Sequence, residues 1–285
     1  MSALPARLER LAGEFAEAPR AMLLLDFDGT LAPFRSRPEL AGIDDNLRAV
    51  VDSLHGHKTR VAIISGRGLE DLKTRVGLPD LYYSGVFGLE LWEPGWSLAH
   101  PHAKASRPAL AGMLVELHEL FKGLPGIRLE DKGVGIALHY RGVPEDRRHE
   151  FSRLWQKAKA LAPPGLRWRR GQRDWEVTPT HVWDKGRAAL MFWRRHGKPF
   201  LISIGDDRFD EPMFRACVGR GSSIKVGAGP TCARHRVDGP EEVACFLRVL
   251  AEMVAGKAAL EHATLAPRRR RAGQKTVTRP SRRVH

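Results

Sequence analysis

Short apolar runs that end in acidic or small polar residues recur in both outer parts of the chain, where they alternate with segments of helical spacing. The first run, Ala21–Leu25, is followed by Asp26, and a later one, Pro199–Ile204, is followed by Gly205-Asp206. Runs this short, bounded by turn residues, are typical of strands buried on both faces. Their alternation with helices predicts an α/β fold built on a doubly wound, Rossmann-like parallel sheet.

The same patterns place the individual elements of this sheet. Strands are predicted at Ala21–Leu25, Val61–Ile64, Leu81–Ser84, Pro199–Ile204 and Ser222–Val226. Helices are predicted at Asp44–Leu54, Leu69–Val76, Lys185–His196, Glu211–Cys217 and Glu241–Val254. Before them, a helical spacing of apolar residues predicts an amphipathic N-terminal helix that contains Leu4, Leu8, Leu11 and Phe15.

The middle of the chain follows a different order, in which a helix and two strands occur twice. These elements are predicted at Ala109–Phe121, Ile127–Asp131, Val134–Tyr140, Glu145–Leu161, Leu166–Arg169 and Asp174–Val177. Such a unit is typical of a small α+β module, and its position predicts a cap inserted into the core. We therefore predict an N-terminal helix over 1–19, a core over 20–104 plus 181–258, a cap over 105–180 and a basic tail over 267–285.

The positive charge of the chain is concentrated at its C-terminal end. The 285 residues carry a net charge of +14, yet no acidic residue follows Glu261. Eight positive charges belong to Arg268, Arg269, Arg270, Arg271, Lys275, Arg279, Arg282 and Arg283, so +6 remains for residues 1–266. The tail has no hydrophobic periodicity and is predicted to be disordered. Binding of nucleic acid or another polyanion through this tail is a distant alternative function, and we expect only non-specific contacts of that kind.

Several other classes of protein are disfavoured. A hydrophobic fraction of 42% supports a packed core, and the longest aliphatic runs are too short to span a membrane. Met1–Arg20 lacks the apolar stretch of a secretory signal, and the three cysteines have no CxxC spacing. The His-x-His pairs at 55–57 and 100–102 have no third ligand at metal spacing. We therefore expect a soluble, cytoplasmic and monomeric protein that has no disulfide framework and no zinc site.

The first acidic motif, Asp26-Phe27-Asp28-Gly29-Thr30, follows the first predicted strand. In open α/β sheets, ligands bind at the carboxyl ends of the strands. A spacing of two residues points both carboxylates in the same direction, and Gly29 allows the chain to turn away sharply. Taken alone, an Asp pair at this place is more often a turn or a helix cap than a catalyst.

The second acidic motif, Gly205–Asp210, also follows a predicted strand, and it contains Asp206, Asp207 and Asp210. The doubly wound sheet would bring both motifs together, so that as many as five carboxylates would share one crevice. Carboxylates that lie so close together repel one another, so a cation must lie among them. Oxygen ligands without nearby His or Cys favour Mg²⁺ as that cation. Lys185, which begins the helix after the cap, can supply a second positive charge.

A third predicted strand end carries Ser65-Gly66-Arg67. A hydroxyl and backbone N–H groups at the start of a helix form an anion site, although Ser65 could serve as an N-cap as well. The three strand ends together offer a nucleophilic carboxylate, a metal site and a phosphate cradle. This combination predicts phosphoryl transfer through a covalent aspartyl-phosphate.

In order and spacing, these motifs resemble the four motifs of the haloacid-dehalogenase-like (HAD-like) phosphatases. The resemblance narrows to the trehalose-6-phosphate phosphatases and covers roughly residues 20–255. The segments that carry it are Asp26–Thr30, Ser65–Arg67, Tyr83–Glu90, Leu129–Lys132, His139–Arg141, Trp183–Gly186 and Gly205–Phe214. The resemblance implies a Mg²⁺-dependent phosphatase with a HAD-like core, whose substrate is the sugar phosphate trehalose 6-phosphate and whose cap determines specificity.

The resemblance also implies a role for each matching residue. Asp26 would attack phosphorus as the nucleophile, and Asp28 would protonate the leaving sugar oxygen and then activate water. Mg²⁺ would be held by Asp26, the carbonyl of Asp28 and Asp206, with Asp207 and Asp210 as direct ligands or beside it. The phosphate would be bound by Thr30, Ser65, Gly66 and Lys185. The sugar would be bound by Arg67, Glu130, Lys132 and Glu176.

Two positions depart from the pattern of the family, since Phe87 stands where His is usual and Phe209 where Thr is usual. Neither position would take part in phosphoryl transfer, so both departures bear on which sugar is bound. The alternative from the same resemblance is a related enzyme that acts on sucrose 6-phosphate or a glycosyl-phosphoglycerate. Glu130 and Lys132 lie two residues apart and so share one face of a strand. As an acceptor and a donor they could recognise sugar hydroxyls, but the same pattern is typical of a strand face exposed to solvent.

Overall fold

Two β-sheets organise the computed structural model, which describes residues 4–33, 41–56, 58–171, 174–180 and 183–265. Its strands are β1 (Ala21–Leu25), β2 (Thr59–Ile64), β3 (Tyr82–Gly85), β4 (Glu90–Glu93), β5 (Trp96–Ala99), β6 (Arg128–Asp131), β7 (Ile136–His139), β8 (Leu166–Arg170), β9 (Asp174–Pro179), β10 (Phe200–Gly205), β11 (Gly221–Val226) and β12 (His235–Val237). Its helices are α1 (Ala6–Glu17), α2 (Asp45–Ser53), α3 (Leu69–Val76), α4 (Pro101–Phe121), α5 (Arg148–Ala160), α6 (Lys185–Arg195), α7 (Glu211–Ala216) and α8 (Pro240–Leu265).

The larger sheet has the strand order β12-β11-β10-β1-β2-β3-β4-β5 and is parallel from β12 to β3. Alternate residues of β1 point to opposite faces, which separates two layers of core. Leu23 and Leu25 pack with α1, α2, α3 and α8, whereas Met22 and Leu24 pack with α6 and α7. This arrangement confirms the predicted α/β fold with a doubly wound sheet.

The smaller sheet is antiparallel, with the order β6-β7-β9-β8. One of its faces carries Leu138 and Val177, which form an apolar core with Met113 and Phe121 of α4 and Trp155 of α5. The opposite face carries Glu130, His139 and Glu176, with Ala137 among them. The helix–strand–strand order predicted for this region is present, and the sheet lies between the two sequence segments that form the larger sheet.

Several predicted boundaries are wrong. Helix α4 begins at Pro101, not at Ala109, because a proline fits the first turn, where no backbone donor is needed, and Pro108 is accommodated inside the helix. It therefore spans the predicted boundary between residues 104 and 105, and the domain limits stay a prediction. Helix α8 continues to Leu265 instead of ending at Val254.

Three strands were not predicted. Strands β4 and β5 form a hairpin around Pro94-Gly95, in a part of the core for which no strand was predicted, and β12 is a three-residue edge strand. The predicted disordered tail, 267–285, lies outside the described residues. Among the helices that the structure describes, none is long and apolar enough to cross a membrane.

Candidate active site

The three polar motifs meet because they follow neighbouring parallel strands. Strand β1 lies between β10 and β2, and its last residue, Leu25, is in register with Ile204 and Ile63. The residues that follow these three positions therefore emerge at the same edge of the sheet. This edge is the crevice that the sequence predicts. Gly29 has φ +81°, which confirms the expected sharp turn after the first motif.

A buried lysine bridges the first and second acidic motifs. Lys185 Nζ lies 2.6 Å from Asp26 Oδ1 and 2.6 Å from Asp210 Oδ1. All three residues are at most 4% exposed. Burial by itself would lower the pKa of Lys185, but the charges of Asp210 and Asp26 outweigh it and raise that pKa. The lysine is therefore held as a cation at the first residue of α6, beside the candidate nucleophile.

Asp26, Asp206 and Asp210 form the acidic cluster, since one carboxylate oxygen of each lies within 4.8 Å of the others. Burial raises the pKa of Asp26 well above its usual range, against the opposing charge of Lys185. Burial and the neighbouring Asp210 also raise the pKa of Asp206, to about 7. Three carboxylates and one lysine leave net negative charge in a buried site, which a further cation would neutralise. The oxygen-only donor set fits Mg²⁺.

The side chains of Asp28 and Asp207 are not part of this cluster. Asp28 accepts two hydrogen bonds from Arg67, at 2.6 Å to Oδ2 and 2.7 Å to Oδ1. Arg67 also donates to Asp71, four residues later, at 2.8 Å. The Asp207 carboxylate accepts from the backbone N–H of Phe209 and so caps the short 3₁₀ turn before α7. Their predicted roles toward a metal stay predictions.

The predicted phosphate-binding residues surround Asp26. Thr30 Oγ1 donates to Asp26 Oδ2 at 3.2 Å, so this hydroxyl orients the candidate nucleophile. Ser65 Oγ accepts from the backbone N–H of Arg67 at 3.2 Å, within the loop before α3. Ser65 is not the N-cap of that helix, because the N-cap is Gly68. Gly66 follows Ser65 in the loop between β2 and α3. The structure thus brings Thr30, Ser65, Gly66 and Lys185 to the same end of the sheet as Asp26.

The cap contacts this crevice through Lys132. Its Nζ donates to the carbonyl of Gly66 in the core and to Glu176 Oε1 in the cap, both at 2.8 Å. Burial outweighs the charge of Lys132 and raises the pKa of Glu176 to about 7. The second oxygen of Glu176, Oε2, is buried and has no hydrogen-bond partner in the part of the chain that the structure describes. Lys132 and Glu176 therefore lie beside the core loop that carries Gly66, which is where residues that bind the sugar would have to lie.

Glu130 lies on the polar face of the small sheet, in one row with Glu176, because both are in register with Ala137. Burial would raise its pKa, but the hydrogen bond with His139, at 2.9 Å, and the charge of Lys132 outweigh burial and lower the pKa to about 2. Glu130 is therefore an ionised acceptor. His139 lies on the same face in the next row, in register with Arg128 and Asp174. It was not predicted as a partner of Glu130, although the alternation of β7 could have identified it.

The two positions that depart from the family contact each other. Phe87 follows β3 in the left-handed region, at φ +56°, and its ring lies 4.9 Å from that of Phe209. Lys132 Nζ lies 5.8 Å from the centroid of the Phe87 ring. The pair therefore forms an apolar contact between the loops after β3 and β10, at the border of the crevice. Nothing in the spacing of the two positions along the sequence indicates this contact.

Comparison with known proteins agrees with this geometry. The sequence profile of the trehalose-phosphatase family matches residues 24–240. The trehalose-phosphate phosphatase of Mycobacterium marinum is 33% identical over 268 residues, which cover 89% of this chain and 67% of that protein. Probable trehalose-phosphate phosphatase 4 of Oryza sativa subsp. japonica is 30% identical over 264 residues, covering 86% of this chain and 70% of that protein.

A solved structure shows the same fold. The C-terminal domain of the C. albicans trehalose-6-phosphate phosphatase has a TM-score of 0.72 at 22% identity, and the match covers 88% of this chain and 99% of that domain. The profile match includes both acidic motifs and the whole of the small sheet. The resemblance noted in the sequence is thereby confirmed, and the chain belongs to the trehalose-phosphatase family of HAD-like phosphatases.

Proposed function

We propose that this chain is a Mg²⁺-dependent phosphatase that hydrolyses trehalose 6-phosphate to trehalose and inorganic phosphate through a phosphate covalently bound to Asp26. One observation carries the proposal: at the carboxyl end of β1, the buried Asp26 carboxylate is hydrogen-bonded to Lys185 and shares an acidic cluster with Asp206 and Asp210. The family membership and the relatives named above support the choice of substrate.

The reaction proceeds in two displacements. In the first, a carboxylate oxygen of Asp26 bonds to phosphorus as the bond from phosphorus to the sugar O6 breaks, and the carboxyl of Asp28 gives its proton to O6. In the second, a water oxygen bonds to phosphorus and its proton passes to Asp28, while the bond to Asp26 breaks. Trehalose leaves after the first displacement and phosphate after the second, so Asp26 and Asp28 return to their initial states.

The residues present fit a magnesium ion. Asp26, Asp206 and Asp210 would hold it through carboxylate oxygens, and the family resemblance adds the carbonyl of Asp28. Mg²⁺, when bound, would neutralise charge on the phosphate and polarise a phosphoryl oxygen. Lys185 would bind a phosphate oxygen from the other side, with Ser65 and Gly66 in the adjacent loop.

The cap would recognise the sugar. The unpartnered Oε2 of Glu176 is a buried acceptor, and burying such a group costs free energy unless a donor reaches it. A sugar hydroxyl is a donor of the required kind. The ionised Glu130 would accept a second hydroxyl, and Lys132 would join both to the core through Gly66. Arg67 would contribute from the core, where it is 7% exposed.

The experiment that tests this proposal measures phosphate release from a panel of sugar phosphates, with Mg²⁺ and with EDTA. We expect trehalose 6-phosphate to be hydrolysed with the highest kcat/KM, and no turnover in EDTA. A clear preference for sucrose 6-phosphate or a glycosyl-phosphoglycerate would refute the choice of substrate while leaving the chemistry intact.

The chemistry is tested separately by Asp26→Asn. An amide is not a competent nucleophile, so we expect kcat to fall by roughly 10³-fold or more, while the circular dichroism spectrum shows that the variant is still folded. Asp146→Asn, at an exposed position of the cap, is the matched control and should retain full activity. Substantial turnover by Asp26→Asn would contradict the covalent mechanism.

A further inference from the structure

A groove of about 490 Å³ lies between helices α6 and α7, outside the catalytic crevice. Its apolar lining comes from Leu190 and Met191 of α6 and from Pro212 and Ala216 of α7. The volume falls within the range of sites for small organic ligands. Neither the acidic cluster nor the residues of the small sheet line it.

Four arginines surround this apolar lining: Arg187, Arg194, Arg215 and Arg220. Within the described ranges, none of them lies within 4 Å of a carboxylate oxygen. Asp184 is the acidic residue of the lining, and its carboxylate accepts from the backbone N–H of Arg187. The lining thus carries a net charge of +3, and its acidic group is already engaged by the helix N-terminus.

Arg220 is held in place at one end of the groove. Its Nη1 donates to the carbonyls of Ala216 and Val218, and its guanidinium lies 4.8 Å from the centroid of the Trp193 ring. Its Nε is buried and has no hydrogen-bond partner in the described residues. An unpartnered charged donor of this kind is costly unless an acceptor reaches it. A ligand with anionic oxygens would supply such an acceptor.

We propose that this groove binds a nucleoside triphosphate. Guanidinium groups match phosphate oxygens in a two-pronged geometry, and the four arginines provide enough of them for a polyphosphate chain. The apolar surface of Leu190 and Met191 fits the flat face of a base, which an inorganic anion would leave uncovered. A concave site of this size suits a small molecule better than an extended acidic segment of another protein.

The groove lies directly behind the catalytic lysine. Trp183, Asp184 and Gly186 line it, and Lys185, between them in sequence, points instead to Asp26. Gly186 packs so closely against the carbonyl of Pro212 that a Cβ would come within 2.4 Å of it. A bound nucleotide would therefore contact the turn that holds Lys185, without entering the crevice where the sugar phosphate reacts.

The test is calorimetric titration of the full chain with ATP in EDTA at 0.15 M NaCl, without catalytic turnover. The variant Arg187→Ala/Arg194→Ala/Arg215→Ala should raise the Kd for ATP by about tenfold or more, since it removes three of the four phosphate partners. The matched control, Arg10→Ala/Arg153→Ala/Arg248→Ala, removes the same charge from exposed helix positions and should change Kd by less than about twofold. If the triple variant does not fold, Arg194→Ala alone, at an exposed position, should raise Kd by at least about twofold.

Several results would overturn the proposal. If both triple variants lose ATP affinity to the same extent, ATP binding depends only on the net charge of the chain, including that of the arginine tail. Displacement of ATP by trehalose 6-phosphate, with an unchanged Kd in the groove variant, would place the nucleotide in the catalytic crevice. If tripolyphosphate or a hexa-aspartate peptide binds as tightly as ATP, the base plays no role in binding. If no ATP binding is detected below 10 mM, which corresponds to a binding free energy of roughly 3 kcal/mol, the groove is not a nucleotide site.

Discussion

Lys185→Met tests whether the buried lysine neutralises the acidic cluster. The lysine lies 2.6 Å from one carboxylate oxygen of Asp26 and of Asp210, and Asp210 is fully buried. Methionine keeps much of the side-chain volume but leaves both carboxylates without their cation. Removing one partner of a buried ion pair typically costs about 3–5 kcal/mol, so we expect the free energy of unfolding in EDTA to fall by that amount at pH 8.

The pH dependence of this loss identifies its electrostatic origin. The pKa of Asp26 is already raised by burial, and Lys185 opposes that effect, so its removal raises this pKa further. A carboxyl with a higher pKa in the folded than in the unfolded chain binds a proton on folding, and stability then falls as pH rises toward the folded pKa. If the substitution makes the acid dissociation constant of Asp26 tenfold smaller, the loss in free energy of unfolding is about 1.4 kcal/mol smaller at low pH than at pH 8. Added Mg²⁺ should restore part of the stability.

The assay is urea unfolding at pH 5, 6, 7 and 8, in EDTA and in Mg²⁺. Lys225→Met is the matched control, because Lys225 is equally buried but its Nζ donates to the backbone carbonyls of Asp206 and Val226. Lys225→Met should lower the free energy of unfolding by about 1–3 kcal/mol, and this loss should depend less on pH than that of Lys185→Met. A loss in Lys185→Met that is below 1 kcal/mol, or as independent of pH as that of the control, would refute this account.

Three further predictions concern the surroundings of the cluster. In Gly205→Ala the new Cβ would lie 2.4 Å from Asp210 Cγ, so we expect a loss of about 1–3 kcal/mol in urea unfolding together with weaker Mg²⁺ binding; unchanged Mg²⁺ affinity would contradict this. For the wild type, kcat/KM should fall by up to about tenfold from pH 8 to pH 6 as Glu176 takes up a proton, whereas Glu176→Gln should lack this step in the pH profile. A double-mutant cycle of Phe87→Ala and Phe209→Ala should give a coupling of about 0.5–1.5 kcal/mol in unfolding, and strict additivity would argue against their contact.

The sequence predicted five of the eight strands of the larger sheet, and its acidic edge, because these depend on strong local signals. Strand β1 and helix α3 have the predicted bounds, since an apolar run and a helical period each end at clear turn residues. The meeting of the three motifs follows from the parallel order of β10, β1 and β2, which alternation with helices implies. The hairpin of β4 and β5 was missed because its residues alternate only briefly around a Pro-Gly turn.

The charge pairing within the site could not be predicted. That Arg67 binds Asp28 depends on the relative placement of two loops that lie 39 residues apart, and spacing alone suggested five carboxylates in one cluster. The contact between Arg67 and Asp71 does not follow from helical spacing either, because α3 begins at Leu69, after Arg67. Likewise, the hydrogen bond from Lys132 to Gly66 depends on how the cap sits on the core.

Three cations join segments that are distant in sequence, and this determines how the site would respond to substrate. Lys185 links Asp26 to Asp210, Arg67 links Asp28 to Asp71, and Lys132 links the cap to the loop of Gly66. A phosphate dianion bound at this edge competes with the carboxylates for the first two cations. In the proposed mechanism Asp28 gives a proton to the leaving sugar oxygen, so the two hydrogen bonds that it accepts from Arg67 would have to open when the substrate binds.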